Sequence, residues 1–331
     1  MNQSRAETIT GQSPVWAALG PLDQLRISGR EAVAFIDNFT TAKVSALEPG
    51  SGCDGFFCDA RGWVLDLALI RRTAVDDLLL QVGPGRAAEL HRHLDRYHIR
   101  EQLDLSDRSG QMEGFVLAGA AVDAWLRQWF DQDLPAARYR FVDGLLQVGA
   151  AGDPGAAVRL TAIDWYGPGS FLLETAAGSA VAASLSAAGL PRADAESLTR
   201  LRLLEAWPAV EDIPEKTLPQ ELGLDDRAIC FTKGCYLGQE TVARLDALGH
   251  VNRRLTLLGV SGDEPVAPGA AVVSAGGTVA AVSSAAPAGS RGGWLALAIV
   301  PLKALQAETP LEVAGRPAAA HPPIPQSSPE G

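Results

Sequence analysis

The chain is poor in the residues that announce redox, metal or nucleic-acid chemistry. Its 331 residues include four cysteines, five histidines, two methionines and four tyrosines, and aromatic residues reach only 6%. Lysine and arginine number 28 against 39 acidic residues, a net charge of −11. The concentrated cationic field that grips phosphates is therefore missing, and direct nucleic-acid binding is not expected. No apolar run approaches the roughly 20 residues that cross a bilayer. The longest, Trp294 to Leu302, is interrupted by Pro301 and reads as a core strand. The opening MNQSRAETITGQSPVW has one arginine and no apolar stretch, which resembles neither a secretory signal nor a transit peptide, so a cytoplasmic protein with no membrane association is expected.

The few cysteines, Cys53, Cys58, Cys230 and Cys235, form two C-x4-C pairs. That spacing formally allows a four-thiolate centre, but such centres favour C-x2-C knuckles, and Cys53, Cys58 and Cys230 have strand-like or apolar neighbours and read as small buried residues. His91 and His93 project apart on a helix, and with His98, His250 and His321 they read as surface residues. Arg71–Arg72 and Arg253–Arg254 read as solvated strand ends.

Hydrophobic residues are abundant, at 47% against 20% charged. The chain should fold as a globule, and its length suggests two or three packed units. Residues 1–18 are polar and read as a flexible N-terminus. Leu22–Ser28 reads as a strand leading into a short helix that ends near Phe39. Phe56–Asp59 and Trp63–Ile70 form a hairpin about Ala60-Arg61-Gly62, and Leu78–Val82 adds a strand. Gly83-Pro84-Gly85 with Ala88 matches a dinucleotide G-x-G-x-x-A, but it follows hairpins rather than a parallel unit, so it reads as the start of a helix running to Tyr97.

The pattern then repeats. Strands at Gln102–Asp107 and Glu113–Leu117, a helix over Ala121–Phe130, strands at Tyr139–Val148, Arg159–Trp165 and Phe171–Glu174, and a helix over Ala177–Ala188 suggest a degenerate duplication. A helix over Ala193–Trp207 stops at Pro208, and Ala228–Phe231 reads as a short strand. From residue 247 to 315, valine, leucine and regularly spaced Gly/Pro turns suggest a small β-barrel, with 316–331 as a disordered tail.

Chemistry concentrates in Lys233-Gly234-Cys235-Tyr236-Leu237-Gly238-Gln239-Glu240. The glycines permit a tight turn and Gln239 onward suits a helix, so Cys235 should lie near a helix N-terminus. There the dipole and the nearby Lys233 would favour thiolate.

This stretch resembles the K-G-C-[FY]-x-G-Q-x-x-x-x-[RK] signature of YgfZ-type proteins, a branch of the GcvT-like (T-protein) family, matching at Lys233, Gly234, Cys235, Tyr236, Gly238, Gln239 and Arg244. Leu25–Phe35 with Thr40, Thr217-Leu218-Pro219-Gln220-Glu221 and Gly277–Ala285 extend the resemblance over residues 19–314. It implies an α+β fold: two ferredoxin-like halves of a GcvT-type folate-binding domain over 19–246, and a C-terminal small β-barrel. It also implies a tetrahydrofolate-binding accessory factor for iron–sulfur cluster assembly or repair in client proteins, including radical enzymes that thiolate transfer RNA, acting through Cys235 and Lys233. A tetrahydrofolate-dependent aminomethyltransferase or demethylase is the alternative.

The family's R-[LI]-E-x-G pterin segment reads Arg202-Leu203-Leu204-Glu205-Ala206 here. Leu204 stands in place of the glutamate and Ala206 in place of the glycine. By the same resemblance, folate contacts are expected from Tyr236, Gln239, Glu240 and Arg244, from Asp66, which reads equally as the counterpart of the transferase's amine-activating aspartate or as a solvated strand-end aspartate, and from Arg202, which reads equally as a contact to the glutamyl tail or as a stem covering its helix.

Overall fold

Apolar residues at every second position of Leu25-Arg26-Ile27 and Leu78-Leu79-Leu80 turn one face of each strand inward, and Leu25, Ile27, Leu78 and Leu80 are all buried. The computed structural model describes residues 14–147, 155–249, 251–307 and 309–321. After β1 (Val15–Pro21) the first unit comprises β2 (Gln24–Ser28), α1 (Ala32–Asp37), β3 (Ser51–Cys58), β4 (Val64–Ala74), β5 (Asp77–Gln81), α2 (Ala87–Asp95) and β6 (Asp104–Asp107). Its antiparallel sheet has the order β3-β4-β5-β2-β6. The second unit comprises β7 (Glu113–Ala118), α3 (Val122–Trp129), β8 (Phe141–Leu146), β9 (Ala156–Ile163), β10 (Ser170–Thr175) and α4 (Gly178–Ala187), with the sheet order β1-β7-β10-β9-β8.

Reversing the second order gives β8-β9-β10-β7-β1, which matches the first place for place in the sheet. The duplication is therefore real at the level of topology. One strand differs in origin: the edge place taken in the first sheet by β6, which follows α2, is taken in the second by β1 from the start of the chain. β1 pairs antiparallel with β7, from Val15 opposite Ala118 to Pro21 opposite Glu113. Residues 15–18 are thus part of a sheet and not a loose N-terminus, because Trp16 fills the second unit's core beside Phe115 and Leu117.

Beyond α5 (Ala195–Leu204), α6 (Asp225–Ala228) and α7 (Gln239–Leu248), the chain forms β11 (Arg253–Val260), β12 (Ala271–Ser274), β13 (Gly277–Ala281), β14 (Ser284–Pro287), β15 (Trp294–Pro301), α8 (Leu302–Leu305), β16 (Leu311–Val313) and β17 (Arg316–His321). These strands make one curled seven-stranded sheet, a half-barrel, in the order β13-β12-β16-β17-β11-β15-β14. The expected disordered tail is corrected over 316–321. β17 pairs with both β16 and β11, which satisfies backbone groups that an edge would otherwise leave open. The remainder of that tail, residues 1–13, Val148 and His250 lie outside the described residues.

Two further expectations change. Ala228–Phe231 is no strand; α6 ends at Ala228, and Cys230 gives its N–H to a single carbonyl, Thr41 O, at 2.9 Å. Arg71 is no solvated strand end. Its side chain is fully buried between the two units and ion-paired to Glu174, with Nη2 donating to Oε1 at 2.8 Å and Nη1 to Thr161 Oγ1 at 3.2 Å. Gln24 Nε2 donates to the same Glu174 Oε1 at 2.6 Å. A buried charge survives only where partners answer it, and here the partners come from the other sheet.

Candidate functional site

The motif loop runs from the end of α6 to the start of α7 and is stitched to residues 37–42, the segment that leaves α1. Cys230 N–H donates to Thr41 O, Thr41 Oγ1 donates to Ala228 O, and Leu237 N–H donates to Asn38 O. Lys233 Nζ, which has three protons to give, donates to the carbonyls of Asp37, Thr40 and Ala42. Lys233 is 7% exposed. Burial holds its ammonium below the ordinary lysine range, opposed by the Asp37 carboxylate 3.5 Å away. Every donor of the ammonium is engaged by backbone carbonyls, so Lys233 makes no direct hydrogen bond to the Cys235 thiol. Its role is to pin the loop.

Tyr236 is the second anchor. It is buried with Cys58, Val64 and Val242 in a core shared with the half-barrel, its ring 5.3 Å from Lys233 Nζ. Between these two buried side chains, Gly234 and Cys235 face outward, and Cys235 is exposed. Exposure of the thiol is the geometric consequence of inward anchors on either side.

Gly238 caps α7 at φ +84°, and a Cβ there would lie 2.6 Å from Asp59 O and 2.9 Å from Gly62 Cα. The helix therefore seats on the β3–β4 turn, which Asp59 closes by accepting the N–H groups of Arg61 (2.9 Å) and Trp63 (3.0 Å). Only glycine fits at 238. Gly234 is different: no left-handed φ and no close neighbour demands it. Gln239 is half-buried, and Glu240 and Arg244 are exposed along α7.

Asp66, on β4, is 3% exposed and accepts the N–H of Gly83 at 2.9 Å. Burial pushes its carboxyl up to about 7 against the opposing backbone hydrogen bonds of Gly83 and Leu67. A Cβ on Gly83 would meet Val210 Cγ2 at 2.4 Å and Asp66 Oδ1 at 3.0 Å. This close approach, rather than helix initiation alone, explains the first glycine of the Gly83-Pro84-Gly85 run.

Arg202 stands apart from the motif loop. Its Nη1 donates to Trp207 O at 2.8 Å and to Asp212, and its Nη2 to Ser284 Oγ at 2.9 Å and Glu211 Oε1 at 3.3 Å. It ties α5 to the half-barrel, and its guanidinium is engaged within the protein rather than offered to a ligand's carboxylates. Ala206, where the resemblance expects glycine, has φ +50°. Glycine belongs there for conformational reasons, and alanine carries the strain.

A cluster not anticipated from the sequence lies where both units meet the motif-bearing segment. Tyr139 Oη donates to Asp54 on β3. Arg227 in α6 donates to Tyr139 Oη, to Asp54 Oδ2 at 3.1 Å and to Asp164 Oδ1 at 2.6 Å. Trp165 Nε1 donates to Tyr139 Oη at 3.3 Å, Trp165 stacks on Trp207 with centroids 5.3 Å apart, and the Arg227 guanidinium lies 4.6 Å from the Trp207 ring centre. Burial pushes Asp54 up to about 6, opposed by Arg227 and by the Tyr139 hydroxyl. Asp54 Oδ1 and Arg227 Nε are buried with no hydrogen-bond partner. The one signal in the sequence was a charged residue inside the apolar strand Cys53-Asp54-Gly55-Phe56-Phe57.

The remaining candidates are structural. His93 is not a surface residue; it is half-buried edge-on to Phe39 and Tyr97, and burial lowers its pKa. Cys53 and Cys230 are partly buried and Cys58 fully so. Among the described residues, no three of His, Cys, Asp or Glu are grouped to hold a metal ion.

Two topologically equivalent α+β units, followed by a curled sheet and joined through a glycine-capped cysteine loop, define a GcvT-like protein. The GCVT N-terminal domain family matches residues 18–233, and the chain belongs to that family, within its YgfZ/GcvT-like group. The mitochondrial iron–sulfur cluster assembly factor IBA57 homologue of Neurospora crassa is 26% identical over 76% of the chain and 55% of its own length. The tRNA-modifying protein YgfZ of Colwellia psychrerythraea is 24% identical over 75% of the chain and 72% of its own length. The chain spans 60% of a further relative, a chloroplastic protein of Arabidopsis thaliana. Among solved structures, the glycine cleavage system aminomethyltransferase T of Bartonella henselae shares the fold, with a TM-score of 0.79 at 17% identity over 97% of this chain and 88% of that one. Among the described residues, no helix is long and apolar enough to cross a membrane.

Proposed function

We propose that the protein is a folate-binding accessory factor for iron–sulfur cluster assembly or repair, acting on client proteins in the cytoplasm through the Cys235 thiol. The observation that carries this reading is the loop itself: Lys233 and Tyr236 are driven inward, Gly238 is clamped to Asp59, and Cys235 alone among the cysteines is exposed. Gly234, which nothing inside the chain requires, leaves the approach to the sulfur unhindered. The relatives named for cluster assembly and for tRNA modification support the role, and modification of tRNA would then be indirect, through a client enzyme. Mitochondrial and chloroplastic names among the relatives make the cytoplasmic setting part of the proposal.

Tetrahydrofolate is the cofactor we assign. The central cluster fits a ring system with both donors and acceptors, because buried Asp54 Oδ1 and Arg227 Nε each lack a partner that such a ring supplies. Asp54, Arg227 and Asp66 would hold it beside Trp165 and Trp207, with Tyr236, Gln239, Glu240 and Arg244 contributing from the motif segment. Arg202 is withdrawn from this set by its internal bonds. Titrating folinic acid while following tryptophan emission tests the assignment: saturable quenching in the wild type, weakened in Asp54→Ala, is expected, and unchanged emission would refute it.

A second reading is favoured by Asp66. A buried carboxyl held near 7 is matched to proton transfer at neutral pH, as one-carbon transfer from an amine to folate requires. Production of methylenetetrahydrofolate from an aminomethylated carrier would establish that enzyme, and Asp66→Asn would abolish it.

A further inference from the structure

Away from the cluster and the motif loop, a cavity of about 260 Å³ opens at the junction of α7 with the half-barrel. One wall is acidic, bearing Asp225 from α6 and Asp246 from the last turn of α7, and Arg254 of β11 is the cation that lines it. Arg254 Nη2 stands 3.9 Å from Asp225 Oδ2, beyond hydrogen-bond reach. Two carboxylates facing one guanidinium leave a negative charge unbalanced, and the C-terminal end of α7 adds a partial negative charge of its own. Burial pushes the Asp225 carboxyl upward, with Asp226 and Asp246 adding like charge and Arg254 opposing.

The second observation is independent of charge. Gln220, 6% exposed, lines the same cavity. Its Nε2 donates to Val242 O at 2.7 Å, which fixes the amide, yet its Oε1 is buried with no hydrogen-bond partner. A buried acceptor without a donor is rare in folded proteins. The apolar part of the lining comes from Leu245, Val251 and Leu302.

We infer that this cavity binds a primary ammonium group carried on an apolar stem, the head donating to Gln220 Oε1 and the Asp225 and Asp246 carboxylates and the stem lying along Leu245 and Leu302. Three acceptors match the three protons of an ammonium. The ligand is either a free alkylamine or the lysine side chain of a polypeptide; the head-and-stem chemistry is common to both.

The test follows melting of the full chain at fixed chloride concentration with n-butylammonium, Nα-acetyl-lysine methylamide, tetramethylammonium or sodium. Butylammonium at ten times its dissociation constant is expected to raise the melting temperature by about 2 °C, saturably. Tetramethylammonium, which has no N–H, is expected to do nothing. Asp246→Asn, at an exposed position, should abolish the rise, and Arg254→Gln, which removes the competing cation, should tighten binding about fivefold. Tighter binding of the lysine derivative than of butylammonium identifies a polypeptide source; equal or weaker binding identifies a free amine. An equal rise with sodium or tetramethylammonium, or a rise that survives Asp246→Asn, would overturn the inference.

Discussion

In the first unit, β3 and β4 carry Asp54, Asp66 and the Asp59–Gly62 turn on which α7 rests, and the segment after α1 supplies the carbonyls that hold Lys233. In the second unit the equivalent strands, β8 and β9, carry a surface pair, Asp143 and Arg159, whose side chains meet at 2.7 Å with Asp143 64% exposed. Strand order is the same; the chemistry is not. The second unit contributes Tyr139, Asp164 and Trp165 from the ends of its strands, so it acts as a wall to a site built on the first. A duplicated scaffold can therefore diverge by keeping its hydrogen-bonded ladders and changing only which strand ends point at the junction.

The largest way to break this pairing is at the seam. Arg71→Met leaves Glu174 buried with Gln24 alone and should destabilise the fold by about 3–5 kcal/mol, whereas Arg71→Met with Glu174→Met should recover most of that loss. Urea denaturation of the single and double variants measures it. No recovery in the double variant would mean that the seam is held by something other than this ion pair.

Asp66 sharpens the contrast through pH. Its folded value of about 7 lies above the roughly 4 of an unfolded aspartate, so the folded chain binds the proton more tightly. Its contribution is fully present below about pH 4 and is lost as pH rises to about 7. Asp66→Asn should remove this slope, leaving the variant more stable than the wild type at pH 8 by about 2–4 kcal/mol relative to their difference at pH 4. Parallel stability curves for the two proteins would contradict the burial argument.

Lys233→Met strands three carbonyls and should cost about 2–3 kcal/mol. Amide exchange should then quicken at Cys230 and Leu237, whose N–H groups bond to the pinned segment. If exchange stayed slow there, Lys233 would not be the anchor. The smallest effect is expected at Ala206→Gly, which relieves a left-handed alanine and should stabilise the protein by about 1 kcal/mol, read from the shift in denaturation midpoint.

Local chemistry explains which parts were legible in advance. The hairpin about Ala60-Arg61-Gly62 showed because Gly62 takes φ +83° between alternating strands, and α7 showed because Gly238 precedes a helix-forming run. The motif loop was readable from Gly234, Cys235 and Gly238, although the partner of Lys233 was not, since backbone carbonyls 191 to 196 residues away leave no compositional trace. Arg71 was misread because an arginine at a strand end is ordinarily solvated, and its partner Glu174 lies 103 residues on. β1 escaped because its partner β7 lies far along the chain, and β17 because it completes the sheet by pairing with the distant β11 as well as with its hairpin neighbour β16. The Asp54–Arg227–Tyr139 cluster draws on three separated segments, each unremarkable alone.

The account turns on the exposed sulfur at position 235, and complementation tests it most directly. In a strain lacking the gene, the wild-type protein should restore the activity of cluster-dependent enzymes, and Cys235→Ala, expressed to the same level and melting at the same temperature, should not. Full restoration by Cys235→Ala would contradict it.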